Sequence, residues 1–124
     1  MAGGKLDGAG QAKLHTIDEA LVLVQRVHGL VEQLAVAVKN GNNTSMYPLQ
    51  IKRAATPLVG LLKPQFGMIS DQVAGLNLVA TRGGSEQTKV RALREMVAQI
   101  RTQLEISTHK VKEQHTVEEK HAEE

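Results

Sequence analysis

The feature that most constrains the fold is a run of apolar residues that recur at steps of three and four. This alternation keeps all of them on one side of an α-helix, where a second helix can cover them. We call this set the central seam. Its members are Pro48, Ile51, Ala55, Val59, Leu62, Phe66, Ile69, Val73, Leu76 and Ala80.

Two prolines, Pro57 and Pro64, interrupt the central seam on the side opposite to it. A proline inside a helix removes one N–H and clashes with the carbonyl four residues before it, so the helix bends or breaks. Because the seam keeps its phase across both prolines, it predicts one long helix bent at Pro57 and Pro64. The alternative is a break at Pro64, which gives a four-helix bundle.

Two further helices are predicted on either side of the central one. Thr16 and Glu19 form a capping-box pattern, so a first helix is expected from about Ile17 to Asn40. The Asn and Gly residues of segment 40–43 are expected to end the first helix. Thr44 or Ser45 is the expected N-cap of the second helix, and Ser85 is the expected N-cap of the third. The fold class is therefore all-α, an antiparallel bundle of three long helices. At 1.5 Å per residue the first is expected to span about 36 Å and the other two about 50 Å.

The length and charge distribution predict one domain with two irregular ends. Residues 1–15 are expected to be a disordered lead-in, 16–112 the helical bundle domain and 113–124 a fraying acidic tail. Residues 41–112 carry ten Lys and Arg against four Asp and Glu, whereas 113–124 carry one against five. An acidic partner, or a tail that folds back to screen the body, would match this layout.

The composition limits the compartment and the chemistry. The chain has no cysteine, which excludes disulfides and thiolate chemistry, and this fits a reducing compartment. The first residues lack the apolar stretch of a signal peptide, and no run of residues matches a membrane span. We expect an intracellular protein, cytoplasmic or nuclear.

The histidines are the first candidates for catalysis or metal binding. His109, His115 and His121 are six residues apart, whereas ligands on one helix face need a spacing of three or four, so no metal site is predicted. His28, in the middle of a helix, invites comparison with the histidine phosphotransfer domain, whose histidine is followed closely by lysine and glycine. Here Gly29 follows and no lysine does, which makes phosphotransfer the weakest interpretation. No catalytic residue and no cofactor are predicted.

Small and apolar residues on the outer helix faces predict a protein-binding surface. Exposed Val, Leu and Met reduce solubility unless a partner covers them, and small residues allow close helix approach. The candidate partner-binding residues are Val22, Val36, Gly60, Leu61, Gly67, Met68 and Leu78. The predicted function is a non-catalytic helical adaptor or scaffold subunit that associates with itself or with other helical proteins through coiled-coil-like surfaces.

Clustered basic residues support a different interpretation, nucleic-acid binding. Its candidate residues are Lys52, Arg53, Lys89, Arg91, Arg94 and Arg101. Cations of this kind suffice for phosphate contacts. They alternate with glutamates, however, and no aromatic residues accompany them to stack on bases. Nucleic-acid binding is therefore the alternative, and not the preferred function.

Overall fold

The computed structural model describes residues 5–117 and shows four helices packed against one another. They are α1 (Gly8–Lys39), α2 (Tyr47–Leu62), α3 (Gly67–Thr81) and α4 (Glu86–His115). Two short strands, β1 (Lys5–Leu6) and β2 (Thr116–Val117), pair antiparallel at the ends of this segment. The predicted all-α bundle is confirmed, whereas the three-helix arrangement is wrong and the four-helix alternative fits.

The helices follow one another around the bundle. α1 packs on α2 and α4, and α3 packs on the same two helices, so α1 and α3 lie on one diagonal and α2 and α4 on the other. Short connections make sequential neighbours antiparallel. The buried apolar side chains of all four helices form one core. A residue's position in the helical repeat therefore decides whether it contacts the core, a neighbouring helix or solvent.

The chain turns back at residues 63–66, within the stretch for which one bent helix was predicted. Phe66 leaves the helical region with φ −136° and ψ 58°, and its N–H donates to the Leu62 carbonyl at 2.7 Å. Pro64 has no N–H to donate to the carbonyl four residues earlier. The seam keeps its phase, but it folds into a hairpin, so Leu62 and Ile69 are buried on opposite sides of the turn. Pro57 lies inside α2 and is exposed, as predicted.

The helix lengths also differ from those predicted. α1 has 32 residues and α4 has 30, whereas α2 has 16 and α3 has 15. These lengths correspond to about 48, 45, 24 and 23 Å. Helices α1 and α4 are therefore about twice as long as α2 and α3, and the α2–α3 hairpin covers only about half of their length. The half beyond the hairpin is formed by the beginning of α1 and the end of α4.

The beginning of α1 lies in the segment expected to be disordered. Asp7 caps the helix, accepting a hydrogen bond from the Gly10 N–H at 2.7 Å. Thr16 is not a cap; its hydroxyl donates to the Ala12 carbonyl inside α1. No proline or strong stop separates Gly8 from Ile17, so nothing in this segment ends the helix. The disordered lead-in is wrong for residues 5–15, and residues 1–4 lie outside the described part.

The predicted ends of the other helices are mostly correct. Gly41 adopts φ 69° after α1, and the N–H groups of Gly41 and Asn42 bond to Val38 and Ala37 in the Schellman pattern. Ser85 accepts a bond from the Thr88 N–H at 3.4 Å, as its predicted capping role requires.

Two other predicted boundaries are wrong. The residue before α2 is Met46, with no side-chain cap, and not Thr44 or Ser45. The acidic tail does not begin at 113, because residues 113–115 complete α4 and residues 116–117 form β2. Residues 118–124 of that predicted tail lie outside the described part.

Helix α1 is also long and apolar enough to cross a membrane, with a mean hydropathy of 1.4 over its most apolar 18-residue window. No such helix was expected from the sequence. Core helices of bundles and signal sequences near an N-terminus have the same length and hydropathy, so this is weak evidence for a membrane span. In the bundle, 28% of that window is buried.

Candidate interaction surface

Helix α1 carries an apolar stripe on the side opposite the core. Its members are Val22, Gly29 and Val36, which are seven residues apart, or two helical turns. Val22 is 66% exposed and Val36 is 57% exposed. A Cβ added to Gly29 would meet no atom within 4 Å. We call these three residues the α1 stripe; no part of residues 5–117 covers it.

A shallow hollow lies next to the α1 stripe, near the start of α2. It has a volume of about 370 Å³, and Tyr47 at the beginning of α2 forms part of its wall. It exists because Gly29 has no side chain and because the turn after α1 places Tyr47 beside the last turns of that helix. The lining residues are Gly29, Glu32, Gln33, Val36, Ala37, Asn42 and Tyr47.

Polar side chains fix the edge of the α1 stripe that faces α4. The Arg94 guanidinium donates two hydrogen bonds to the Glu32 carboxylate, both of 2.8 Å. This hydrogen bonding by Arg94 lowers the pKa of Glu32. A second contact lies two helical turns further along both helices, where Arg101 of α4 donates to the Gln25 side-chain oxygen of α1 at 3.1 Å. These contacts join α1 to α4 along this flank of the stripe.

The other predicted partner-binding residues do not join the α1 stripe. Met68 and Leu78 are 83% and 70% exposed, but they lie on α3, diagonally across the bundle from α1. Gly60 and Gly67 are exposed on α2 and α3. Because the chain turns at residues 63–66, these four belong to two antiparallel helices and do not form the continuous stripe expected from the sequence.

Leu61 lies in a different environment from the outer face expected for it. It is partly buried and packs against the apolar core. Its position seven residues before Met68 suggested a shared outer face, but this holds only in one continuous helix. In the hairpin the two residues lie on different helices, and Leu61 turns partly inward.

The predicted nucleic-acid residues are also divided between two diagonal helices. Lys52 and Arg53 are exposed on α2, whereas Lys89, Arg91, Arg94 and Arg101 belong to α4. Arg94 and Arg101 are already bonded to Glu32 and Gln25 on α1. The six cations therefore do not collect on one face.

A groove of about 850 Å³ between α1 and α4 has walls of mixed charge. Lys39 and Arg91 line it together with Arg94 and Glu95. Since a glutamate lies among the cations and Arg94 is paired with Glu32, the groove is not a uniformly basic channel for a phosphate backbone.

A polar cluster that the sequence did not reveal joins the two ends of the described segment. The Asp7 carboxylate lies 3.3 Å from His115 Nδ1, and Lys13 Nζ lies 3.0 Å from His115 Nε2. The Asp7 backbone N–H also donates to the His115 carbonyl at 3.0 Å. The pKa of Asp7 is lowered, chiefly by the hydrogen bond from the Gly10 backbone N–H. Both ring nitrogens of His115 are engaged, so this cluster fastens α1 to α4.

His28 has no arrangement of groups around it that indicates catalysis. Its Nε2 lies 3.9 Å from the Glu32 carboxylate, and its side chain is 37% exposed. Among residues 5–117, no three His, Asp or Glu side chains are grouped to hold a metal ion. The sequence-based interpretations that exclude an enzyme, a metal site and phosphotransfer stay predictions.

Comparison with known proteins gives no relative: no protein-family model, curated protein or solved structure matches this chain. Functional inference therefore depends on the residues of this chain and on their geometry alone.

Proposed function

We propose that this chain is a non-catalytic helical adaptor that binds another helix through the α1 stripe. The observation that supports this proposal is the exposure of Val22 and Val36, two turns of helix on either side of a glycine and opposite the core. Isolated exposed valines are ordinary on protein surfaces. Two of them aligned about a glycine match the seven-residue spacing that helix pairs use.

The energetics of such a site suit reversible assembly. Burying the exposed part of one valine contributes about 1 kcal/mol at 25 cal/mol per Å². The stripe itself therefore supplies about 2 kcal/mol per chain, and the remaining affinity must come from the flanks and the hollow. Stable complexes bury about 800 Å² per partner. A partner helix therefore has to contact the polar flanks as well as the valines.

The test is affinity capture from the native host at low and at high salt, with and without nuclease. Two single variants are compared with the unaltered chain: Val36→Asp on α1 and Met68→Asp on α3. Both residues are exposed, so neither change disturbs the core. The adaptor function predicts capture of protein that survives salt and nuclease, that is lost in Val36→Asp, and that is kept in Met68→Asp.

Two outcomes would contradict this proposal. Capture that disappears with salt or nuclease would favour nucleic-acid binding. Capture that is lost in Met68→Asp and kept in Val36→Asp would place the binding surface on the opposite side of the bundle.

A further inference from the structure

We propose that the partner of the α1 stripe is the α1 stripe of a second copy, paired antiparallel about a two-fold axis at Gly29. This inference rests on the proposed function and names its partner. Val22 and Val36 are each seven residues from Gly29, in opposite directions. A two-fold axis at Gly29 therefore places Val22 of each copy opposite Val36 of the other. Such an isologous contact closes at a dimer.

The steric features of α1 suit this arrangement. At the axis, two glycines face each other, and neither Cβ position is occupied by another atom of its own chain. The helices can therefore approach closely. Away from the axis, Val22 of the second copy lies beside Val36, where the hollow of about 370 Å³ opens. The hollow is large enough to receive a valine side chain.

The charges of the flanks favour the antiparallel direction. A two-fold axis at Gly29 places each flank of the stripe against the same flank of the second copy. Two residues on that flank face each other when their numbers add to about 58, which is twice 29. Asp18 then faces Lys39 of the second copy, and symmetry repeats this ion pair. Both side chains are exposed in the single chain. In a parallel, in-register pair, Asp18 and Lys39 of the two copies would lie about 30 Å apart along the helix axis, so this ion pair could not form.

The polar residues nearer the axis are also compatible. Gln25 faces Glu32 of the second copy, and Arg26 on the other flank faces Gln33. Neither pair opposes like charges. The overlap runs over about residues 18–39 of each α1, which is about 33 Å of helix. The neighbouring helices α2 and α4 pack on the sides of α1 and leave this outer face open.

Disulfide trapping tests the predicted axis, because the unaltered chain has no cysteine. The test variant is Gly29→Cys, and the matched control is Gly60→Cys on α2. Both glycines lie inside helices, and an added Cβ meets no atom within 4 Å at either position. A disulfide requires Cα atoms about 4.4–6.8 Å apart. In a glutathione redox buffer, Gly29→Cys should form a disulfide dimer and Gly60→Cys should remain reduced.

Charge reversal tests the direction of pairing. Asp18→Lys and Lys39→Asp should each weaken self-association about tenfold, because two ion pairs become repulsive contacts. The double variant restores both pairs in exchanged form and should recover most of the affinity. Thermal unfolding at low concentration, measured in parallel, separates loss of association from loss of folding.

Three outcomes would overturn the two-fold pairing. They are the absence of a Gly29→Cys dimer, equal trapping of Gly60→Cys, and a double charge variant that associates no better than either single one. If the unaltered chain is a monomer while Val36→Asp still abolishes capture of another helical protein, self-pairing is wrong and the adaptor function stands. If neither self-association nor stripe-dependent capture occurs, both proposals fail.

Discussion

Replacing Pro64 with alanine tests why the chain forms a hairpin between α2 and α3. Alanine restores an N–H and removes the ring clash, so one continuous helix over residues 47–81 would gain about 3 kcal/mol. Straightening the chain, however, removes α3 from the core. Ile69, Val73 and Leu76 are all at most 5% exposed. Exposing them costs about 6 kcal/mol in total.

One hydrogen bond adds to this balance. The Ser70 hydroxyl donates to the Val59 carbonyl across the hairpin at 2.9 Å, and a bond of this kind is worth about 1 kcal/mol net. Without the proline the hairpin is therefore still favoured by about 7 kcal/mol, the sum of the burial and hydrogen-bond terms, and the proline adds about 3 kcal/mol to this preference. Pro64→Ala should keep the four-helix fold. It should lose only about 0.4–1 kcal/mol of unfolding free energy, because a flexible residue replaces a rigid one in a turn.

The assay is a distance measurement between spin labels attached to cysteines at Lys52 and Thr81, both exposed in the bundle. A hairpin places these positions on adjacent helices, whose axes are about 10 Å apart. A continuous helix separates them by about 44 Å, at 1.5 Å per residue over 29 residues. A tenfold excess of unlabelled chain suppresses distances between molecules. A long distance in Pro64→Ala, in a monomer or in an exchanged dimer, would refute the argument that burial maintains the hairpin.

Three further changes test the packing and the electrostatics. Leu104→Ala removes a side chain that is 0% exposed and should cost about 2–5 kcal/mol in urea unfolding; a loss below 1 kcal/mol would show that this position is not packed as described. A double-mutant cycle with Glu32→Gln and Arg94→Gln should give a small favourable coupling, since both groups are largely solvated. This coupling should be complete above the ordinary carboxyl pKa of 4.5 and disappear as the pH falls through the lowered pKa of Glu32; a constant coupling at all pH values would contradict it. Acidification through the lowered pKa of Asp7 should likewise weaken its cap and speed hydrogen exchange at the Gly10 amide, whereas unchanged exchange would exclude this role.

The sequence predicted the apolar faces well because helical periodicity is a local property. Ile51, Ala55 and Leu62 of the central seam are buried in α2, and Ile69 and Val73 are buried in α3. The same periodicity cannot distinguish a continuous helix from two helices joined by a tight turn. The decision depends on how much surface α3 buries on α2 and α4, which is a tertiary quantity.

Part of the candidate surface was also predictable. Val22 and Val36 stand out in the sequence because, together with Gly29 between them, they interrupt the polar side of α1 every second turn. Gly60 and Leu61 were expected to share a surface with Gly67 and Met68. They lie on two different helices instead, because their common register required an unbroken helix. The cluster of Asp7 and His115 had no sequence signal, since its members are 108 positions apart.

The most direct test of self-pairing through the α1 stripe is sedimentation equilibrium of the unaltered chain and of Val36→Asp over a wide concentration range. Pairing through the α1 stripe predicts that the unaltered chain passes from 13.4 kDa to twice that mass as concentration rises. Val36→Asp should stay at the lower mass and keep its helical content. A single mass of 13.4 kDa at every concentration, or equal dimerisation of Val36→Asp, would contradict the assignment of this face as the site of pairing.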